Sequence, residues 1–549
     1  MRLREIGQSI NAIIAYDNFD FHEKVKHQVL GDNGVMRSVT TGKVFLGHDI
    51  PPEGLQLSMH HPNILLRYGK DVLSAPGAQR DDIQAEICTF FIADVIRRLY
   101  PKAVGQIWAK SPDRDFPCMP RINVLDSRRT KSYSLGGIPF NEGTIDGNYE
   151  VHKSIFVDQF GLDPEKDFKD RLYLVYGDQK TAQLIRSVKI EQRTATRDYD
   201  RRDWLLPVPS LFHLRMNFLW MIQRTHSGSP SCPEPPTLFH NMNFWNRKQI
   251  PLAKAPFHLL EELILHSWDS RIIAIVYMHL QQEGVNVQWP AEVSAFLCNL
   301  TPAKFLTIVE KVRLSVFTRN SWLPRDPEQG FKTPLDVSKV DQEFVNHVRF
   351  LQEVETYKVL KYGIKHGDIG LIGRAIDMCC IYFKGARQAN YANEMLYLKW
   401  LTSTKACDPI LRKAILSNSL INPHDGLDTW HEVDLNIELY NLSLKELLYV
   451  RKNSTFDIDH LFRTTALTTD FVTDLRKSIE TTVGHRQNNT HTVKSPADDI
   501  HALAYYLSKD SVRLRRGGRK CDFEAPDVMS AAISTLNEAV NRFNNRVIY

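Results

Sequence analysis

Apolar and polar positions follow two different rhythms along the chain. Over the first 190 residues the apolar runs are short and broken by turns. "AIIAYDNFDF" (12–21) opens as a buried strand, "SVTTGKVFLGHD" (38–49) sets Thr, Val and Phe around a glycine, and "DRLYLVYGDQKT" (170–181) carries a third β-like run. Between them, "DDIQAEICTFFIADVIRRLY" (81–100) places Ile83, Ile87, Phe90, Phe91 and Val95 on one face, the spacing of an amphipathic helix. Strands with an interposed helix predict an α/β or mixed unit. Residues 225–256 break the rhythm with Pro, Ser and Asn and read as a long connection or a domain border. Beyond it the periodicity is helical, predicting helices over 257–283, 303–317, 341–365, 369–384, 390–403, 433–452, 467–483, 498–509 and 525–546. No repeat of fixed period is present, which argues against a solenoid.

Composition narrows the functional classes. At 549 residues and 43% hydrophobic content the chain can build a sizeable core, and a net charge of +5 does not by itself announce a nucleic-acid or membrane partner. No apolar run reaches the roughly 18–20 residues that span a bilayer, and the start lacks the apolar segment of a secretory signal, so the chain reads as soluble, intracellular and without a membrane partner. Eight cysteines are scattered, with Cys379 and Cys380 the only close pair, predicting reduced thiols and no structural zinc. That pair lies in "IGRAIDMCCIYF", where thiols act as small buried hydrophobes. "GDIGLIGRA" spaces its glycines as GxxGxxG and fails the dinucleotide fingerprint. The phosphate loop GxxxxGK[ST], the HExxH helix and the GxSxG elbow are all missing from the sequence.

The candidate chemistry lies in carboxylates. Two strand-like runs end in an aspartate, "IIAYD" at Asp17 and "LYLVYGD" at Asp178. Rigid strands that deliver oxygen ligands suit magnesium, and a two-metal site, with ions about 3.5–4 Å apart, usually needs a third carboxylate. "EVDLNIELYN" supplies Asp434 and Glu438, four apart on one helical face, and "NYANEMLYLKW" supplies Glu394. The same positions also suit structural roles: Asp434 as a helix N-cap, Glu438 and Glu394 as solvated helix residues, Asp17 and Asp178 as turn formers.

The segments "YGDQKT", "LLPVPSLFHLRMNFLWMI", "HGDIGLIGRAIDMCCIYFKGARQANYANEMLYL", "LINPHDGLDTWHEVDLNIELYN" and "NNTHTVKSP" resemble the domain of unknown function 6589, abundant in mushroom-forming fungi, over about residues 13–500. More distantly, an Asp-ended strand, a second Asp-ended strand, "PSLFHLRMN", a helical region and an acidic helix, in that order, resemble the ribonuclease-H-fold transposases of the P-element-like and hAT-like groups. That resemblance implies an α/β ribonuclease-H-like mixed sheet interrupted by a mainly helical insertion. It implies Asp17, Asp178 and Glu438 as magnesium ligands in DNA cleavage and strand transfer, with Asp434 and Glu394 as alternates for the third. It also places Asp20, His213 and Asn217 near the site, although His213 suits a core or helix-capping role equally well. Asp20 would then sit in a turn or behind the ligands. By the same reading the core's first part spans 8–222, the insertion 223–430, the completing helices 431–510, and a basic segment with a C-terminal helix 511–549.

Two departures accompany the resemblance. Such transposases usually carry an N-terminal DNA-binding module, whereas the first strand here begins within about a dozen residues of the start, as expected of a gene fragment or a domesticated remnant. The acidic pair is spaced by four and not three. A non-enzymatic remnant that binds nucleic acid or protein is therefore the rival expectation. "SVRLRRGGRK" (511–520) offers Arg513, Arg515, Arg516, Arg519 and Lys520 as phosphate contacts or a nuclear import signal, or equally as a solvated loop. "RTATRDYDRRDW" (193–204) suits the wall of a nucleic-acid groove or a salt-bridged turn.

Overall fold

A computed structural model describes residues 3–9, 11–23, 35–60, 78–111, 113–231, 235, 237–247, 250–253, 255–317, 340–402, 407–450, 458–484, 495–509 and 518–547. Its centre is a five-stranded mixed sheet in the order β3-β2-β1-β4-β5. The strands are β1 (Ala12–Glu23), β2 (Val35–Leu46), β3 (Ser132–Ser134), β4 (Tyr173–Gly177) and β5 (Leu205–Pro209). The first three run antiparallel, from Ala12 opposite Leu46 to Glu23 opposite Val35, with Lys43 opposite Ser134. β4 is parallel to β1 and β5 parallel to β4. A parallel neighbour requires a long crossover, supplied between β4 and β5 by the Gln179–Glu191 helix.

Side chains alternate across β1 with the two-residue period of a strand. Ala12, Ile14 and Tyr16 join Tyr173, Val175 and Leu205 under Val151, Ile155 and Phe156 of the 145–159 helical segment. Ile13 and Ala15 face the other way, with Leu174, Tyr176, Leu206 and Val208, into the large core built by the C-terminal helices. Further along that same face, Phe19 packs with Val39, Tyr440, Leu444 and Phe462. Asp17 thus falls between two apolar patches on one side of the sheet.

The helical expectations fit closely. Helices run Phe257–Gln282, Pro302–Val316, Gln342–Lys365, Ile369–Gly385, Ala389–Leu401, Val433–Val450, Ile458–Thr482, Ala497–Lys509 and Val528–Val547. The Ile458–Thr482 helix begins nine residues before the expected 467, because Phe462, Thr465 and Ala466 bury a face whose threonines mute the periodic signal. The Ala78–Leu99 helix buries Ile87, Phe91 and Val95, with Ile83 and Phe90 partly covered. Cys379 and Cys380 are core residues, and the seven described cysteines are free thiols. Among the described residues no helix is long and apolar enough to cross a membrane.

Two local expectations are corrected. β1 does not end at Asp17: Asp17 pairs with Thr41, and the ladder with β2 continues to Glu23. Asp20 is therefore an exposed strand residue opposite Ser38, accepting a hydrogen bond from Asn18 Nδ2 at 3.1 Å, and not a turn former.

Candidate acidic site at the sheet edge

Strand register brings the first two carboxylates to the same edge of the sheet. The last β1–β4 pair is Ala15 with Tyr176, so two residues further on Asp178 comes level with Asp17, on the face that carries Ala15 and Tyr176. Asp178 also does structural work: its Oδ1 accepts the Thr181 amide at 2.7 Å and caps the Gln179–Glu191 helix. Asp17 Oδ1 accepts the Asn18 amide at 2.8 Å.

The Val433–Val450 helix packs across β1, β2 and β4 and contacts the Phe212–His226 helix that follows β5. This contact is organised by Asp434. Its Oδ1 accepts the Phe212 amide at 3.0 Å, and its Oδ2 accepts the His213 amide at 3.0 Å and lies 3.1 Å from His213 Nδ1. Asp434 therefore caps not its own helix but a neighbour that has no side-chain cap of its own. His213 Nε2 lies 3.4 Å from Glu438 Oε1, so the imidazole bridges the two acids that the sequence spaced by four. Burial opposes charge on His213, but the hydrogen bonds to Asp434 and Glu438 and the charges of Asp434 and Asp17 outweigh it and hold the ring well above the usual histidine range. The His213 hydrogen bond in turn lowers the Glu438 carboxyl. Asn217, one turn on, donates to the His213 carbonyl at 2.8 Å.

A further carboxylate, Glu142, carried no signal in the sequence. It lies between β3 and the Ile145–Lys153 helix in "NEGT", without periodicity or motif, and only the tertiary fold brings it to this edge. It is 2% exposed. Thr181 Oγ1 donates to it at 2.9 Å, and its amide donates to Thr40 Oγ1 at 3.2 Å. Burial, followed by the charge of Asp178, pushes the Glu142 carboxyl up to about 7, against the pull of Thr181, Lys180 and the Asn18 amide. Asp17 is raised well above the usual carboxylate range by burial and then by Glu142, with Glu438 and Asp178 adding to the effect and His213 opposing it. Asp17, Asp178, Glu438, Glu142 and His213 thus share one electrostatic neighbourhood.

The other candidates are placed elsewhere or spent. Glu394 is buried and ion-paired with Arg186 of the Gln179–Glu191 helix, not solvated. Arg519 makes a two-pronged pair with Asp341, 2.8 Å on each prong, and lies 3.3 Å from Glu343, so its charge serves an internal contact. Lys520 is exposed, while Arg513, Arg515 and Arg516 lie outside the described residues. In the 193–204 stretch Arg197 pairs with Asp200 and Glu165, and Arg201 with Asp198 and Asp203, as in a salt-bridged turn.

All-oxygen donors of this kind suit a hard divalent cation, whose charge would offset the burial and the mutual repulsion that raise Asp17 and Glu142. The arrangement itself is looser than ligation requires. Among the described residues no group of three or more His, Cys, Asp and Glu side chains is gathered closely enough to hold a metal ion.

Residues 73–491 match the family described as a family of unknown function (DUF6589), and the chain belongs to that family. Neither the curated proteins nor the solved structures contain a match.

Proposed function

We propose that this member of the family is a transposon-derived protein with a ribonuclease-H-like core, whose acidic edge serves magnesium-dependent DNA cleavage and strand transfer. The observation that carries this reading is the register of β1 and β4. It ends at Ala15 with Tyr176, so Asp17 and Asp178 each follow two residues on, at the edge that the helix bearing Glu438 packs across. The strand order β3-β2-β1-β4-β5, with three antiparallel strands followed by two parallel ones, supports the same reading.

In this reading Asp17 and Asp178 offer carboxylate oxygens from rigid strand ends, and Glu438 completes the set once released from His213. A magnesium ion held there would activate the attacking oxygen and neutralise charge on the phosphate. His213, held charged between Asp434 and Glu438, keeps Glu438 ionised until that release. Asp434 is the positioning residue for that histidine and leaves the ligand role to Glu438.

The test is nicking of supercoiled DNA by the full chain in magnesium. Asp17→Ala, Asp178→Ala and Glu438→Ala should each reduce nicking to background while the protein stays folded. Nicking that survives all three substitutions would show that the chemistry lies elsewhere.

A second reading, a catalytically inactive remnant acting as a nucleic-acid or protein interaction module, is favoured by the engagement of Asp178 as a cap and of Glu438 with His213. It predicts DNA retention without nicking and no calorimetric heat on titration with magnesium or manganese.

A further inference from the structure

The Ile458–Thr482 helix has two unlike halves. Its first half is bound to the body: Phe462, Thr465, Ala466 and Thr469 are buried, and Asp470 pairs with Lys43 of β2 at 2.9 Å and accepts from Ser134 of β3 at 2.6 Å. From Phe471 onward no residue of the helix is buried. Large exposed apolar side chains nevertheless recur at every fourth position from Leu467 in the first half to Val483 just past the helix end: Leu467 (43% exposed), Phe471 (69%), Leu475 (48%), Ile479 (53%) and Val483 (68%). Leu442 on the adjoining Val433–Val450 helix, one turn before the Glu446 that approaches Arg476 at 3.8 Å, is also 59% exposed. An amphipathic helix ordinarily turns such a stripe toward the core, and a run of large exposed apolar groups marks an interaction surface.

We propose that this stripe is a self-association surface, occupied by the same stripe of a second copy of the chain. A strict spacing of four is one ridge of an α-helix, and two such ridges interdigitate when the helices cross at about −50°. Leu475 is the middle of the row, and about a two-fold axis running along the helices it meets its own copy across the interface. The flanking charges select the direction. At 100° per residue, Asp474 lies on one side of Leu475 and Arg476 on the other. Both are exposed, Arg476 by 57%, and Arg476 already reaches Glu480 at 2.9 Å within its own chain. When two stripes face each other with the helices running the same way, each Asp474 meets the partner's Arg476, whereas an antiparallel crossing would oppose Asp474 to Asp474.

Sedimentation equilibrium of the full chain tests this. A dimer is expected at tens of micromolar, and Leu475→Glu should weaken it by about a hundredfold, since a charge replaces the central apolar contact in both copies. Because Leu475 is half-exposed in the single chain, this variant should keep the parent's circular dichroism and melting midpoint. Asp474→Arg and Arg476→Asp should each dissociate alone and associate on mixing. A full chain that stays monomeric at these concentrations, whether its stripe is covered by its own residues or kept for a different protein, overturns the proposal. So does a dimer indifferent to Leu475→Glu, or a charge pair that fails to associate on mixing.

Discussion

The two ends of the sheet treat an aspartate in opposite ways. Asp49, three residues past β2, lies at the end where β1 begins, and it is surrounded by donors: Ser417 Oγ at 2.6 Å, Arg128 Nη1 at 3.0 Å and Lys413 Nζ at 3.1 Å. Against the cost of partial burial, these partners pull its carboxyl down to about 2. Asp17, toward the other end, has its carboxyl driven up first by burial and then by Glu142, with Glu438 and Asp178 adding to the effect and His213 opposing it. One residue type thus serves as a neutralised strut at one end and as a member of an under-neutralised acidic group at the other. The difference lies in burial and company and not in the residue. A fold that tolerates uncompensated carboxylates gives up stability at that point, a pattern that marks sites kept for binding or chemistry.

The sharpest way to break this comparison is to remove the one acid of the edge whose bonds are fully used. Asp434→Ala deletes the cap of the Phe212–His226 helix together with the His213 contact, and should cost about 3 kcal/mol in urea unfolding. A loss below about 1 kcal/mol would show that Asp434 belongs with the uncompensated acids.

Glu142→Gln should do the reverse. A carboxyl whose folded value is raised to about 7 binds its proton more tightly in the folded state. Its ionisation therefore erodes stability as pH rises from the unfolded value toward and past 7. The amide variant should be more stable than the parent by about 2 kcal/mol at pH 8 and nearly equal to it at pH 4. Equal stability at both pH values would remove Glu142 from the acidic group.

The smallest effect is expected at the opposite end of the sheet. Asp49 has a left-handed backbone, which asparagine also accepts, so Asp49→Asn tests charge alone. Its folded value is depressed, so its contribution is present above the unfolded value near 4 and lost as pH falls toward 2. After allowance for solvent screening, the variant should lose about 1 kcal/mol at pH 7 and match the parent near pH 2.

Much of the architecture was legible because it rests on local periodicity. β1, β2 and β4 announced themselves as apolar runs, and the helices after residue 256 as 3.6-residue patterns. β5, "LLPVP", was not legible, because two prolines argue against a strand; they are tolerated here because β5 is at the sheet edge, where a missing amide costs no ladder bond on the open side. The Gln179–Glu191 and Phe212–His226 helices were also missed. In the second, polar and apolar residues mix because it is covered on several sides, and its cap, Asp434, comes from more than two hundred residues away.

The sequence by itself determined where the strands and most helices lie and which acids stand at apolar boundaries, since both depend on neighbours within a few positions. Tertiary structure alone decided which acids meet. Strand register set Asp178 level with Asp17, helix packing turned Asp434 into another helix's cap and joined Glu438 to His213, and chain crossing delivered Glu142. Charge interactions act through space, and distance along the chain carries almost no information about them.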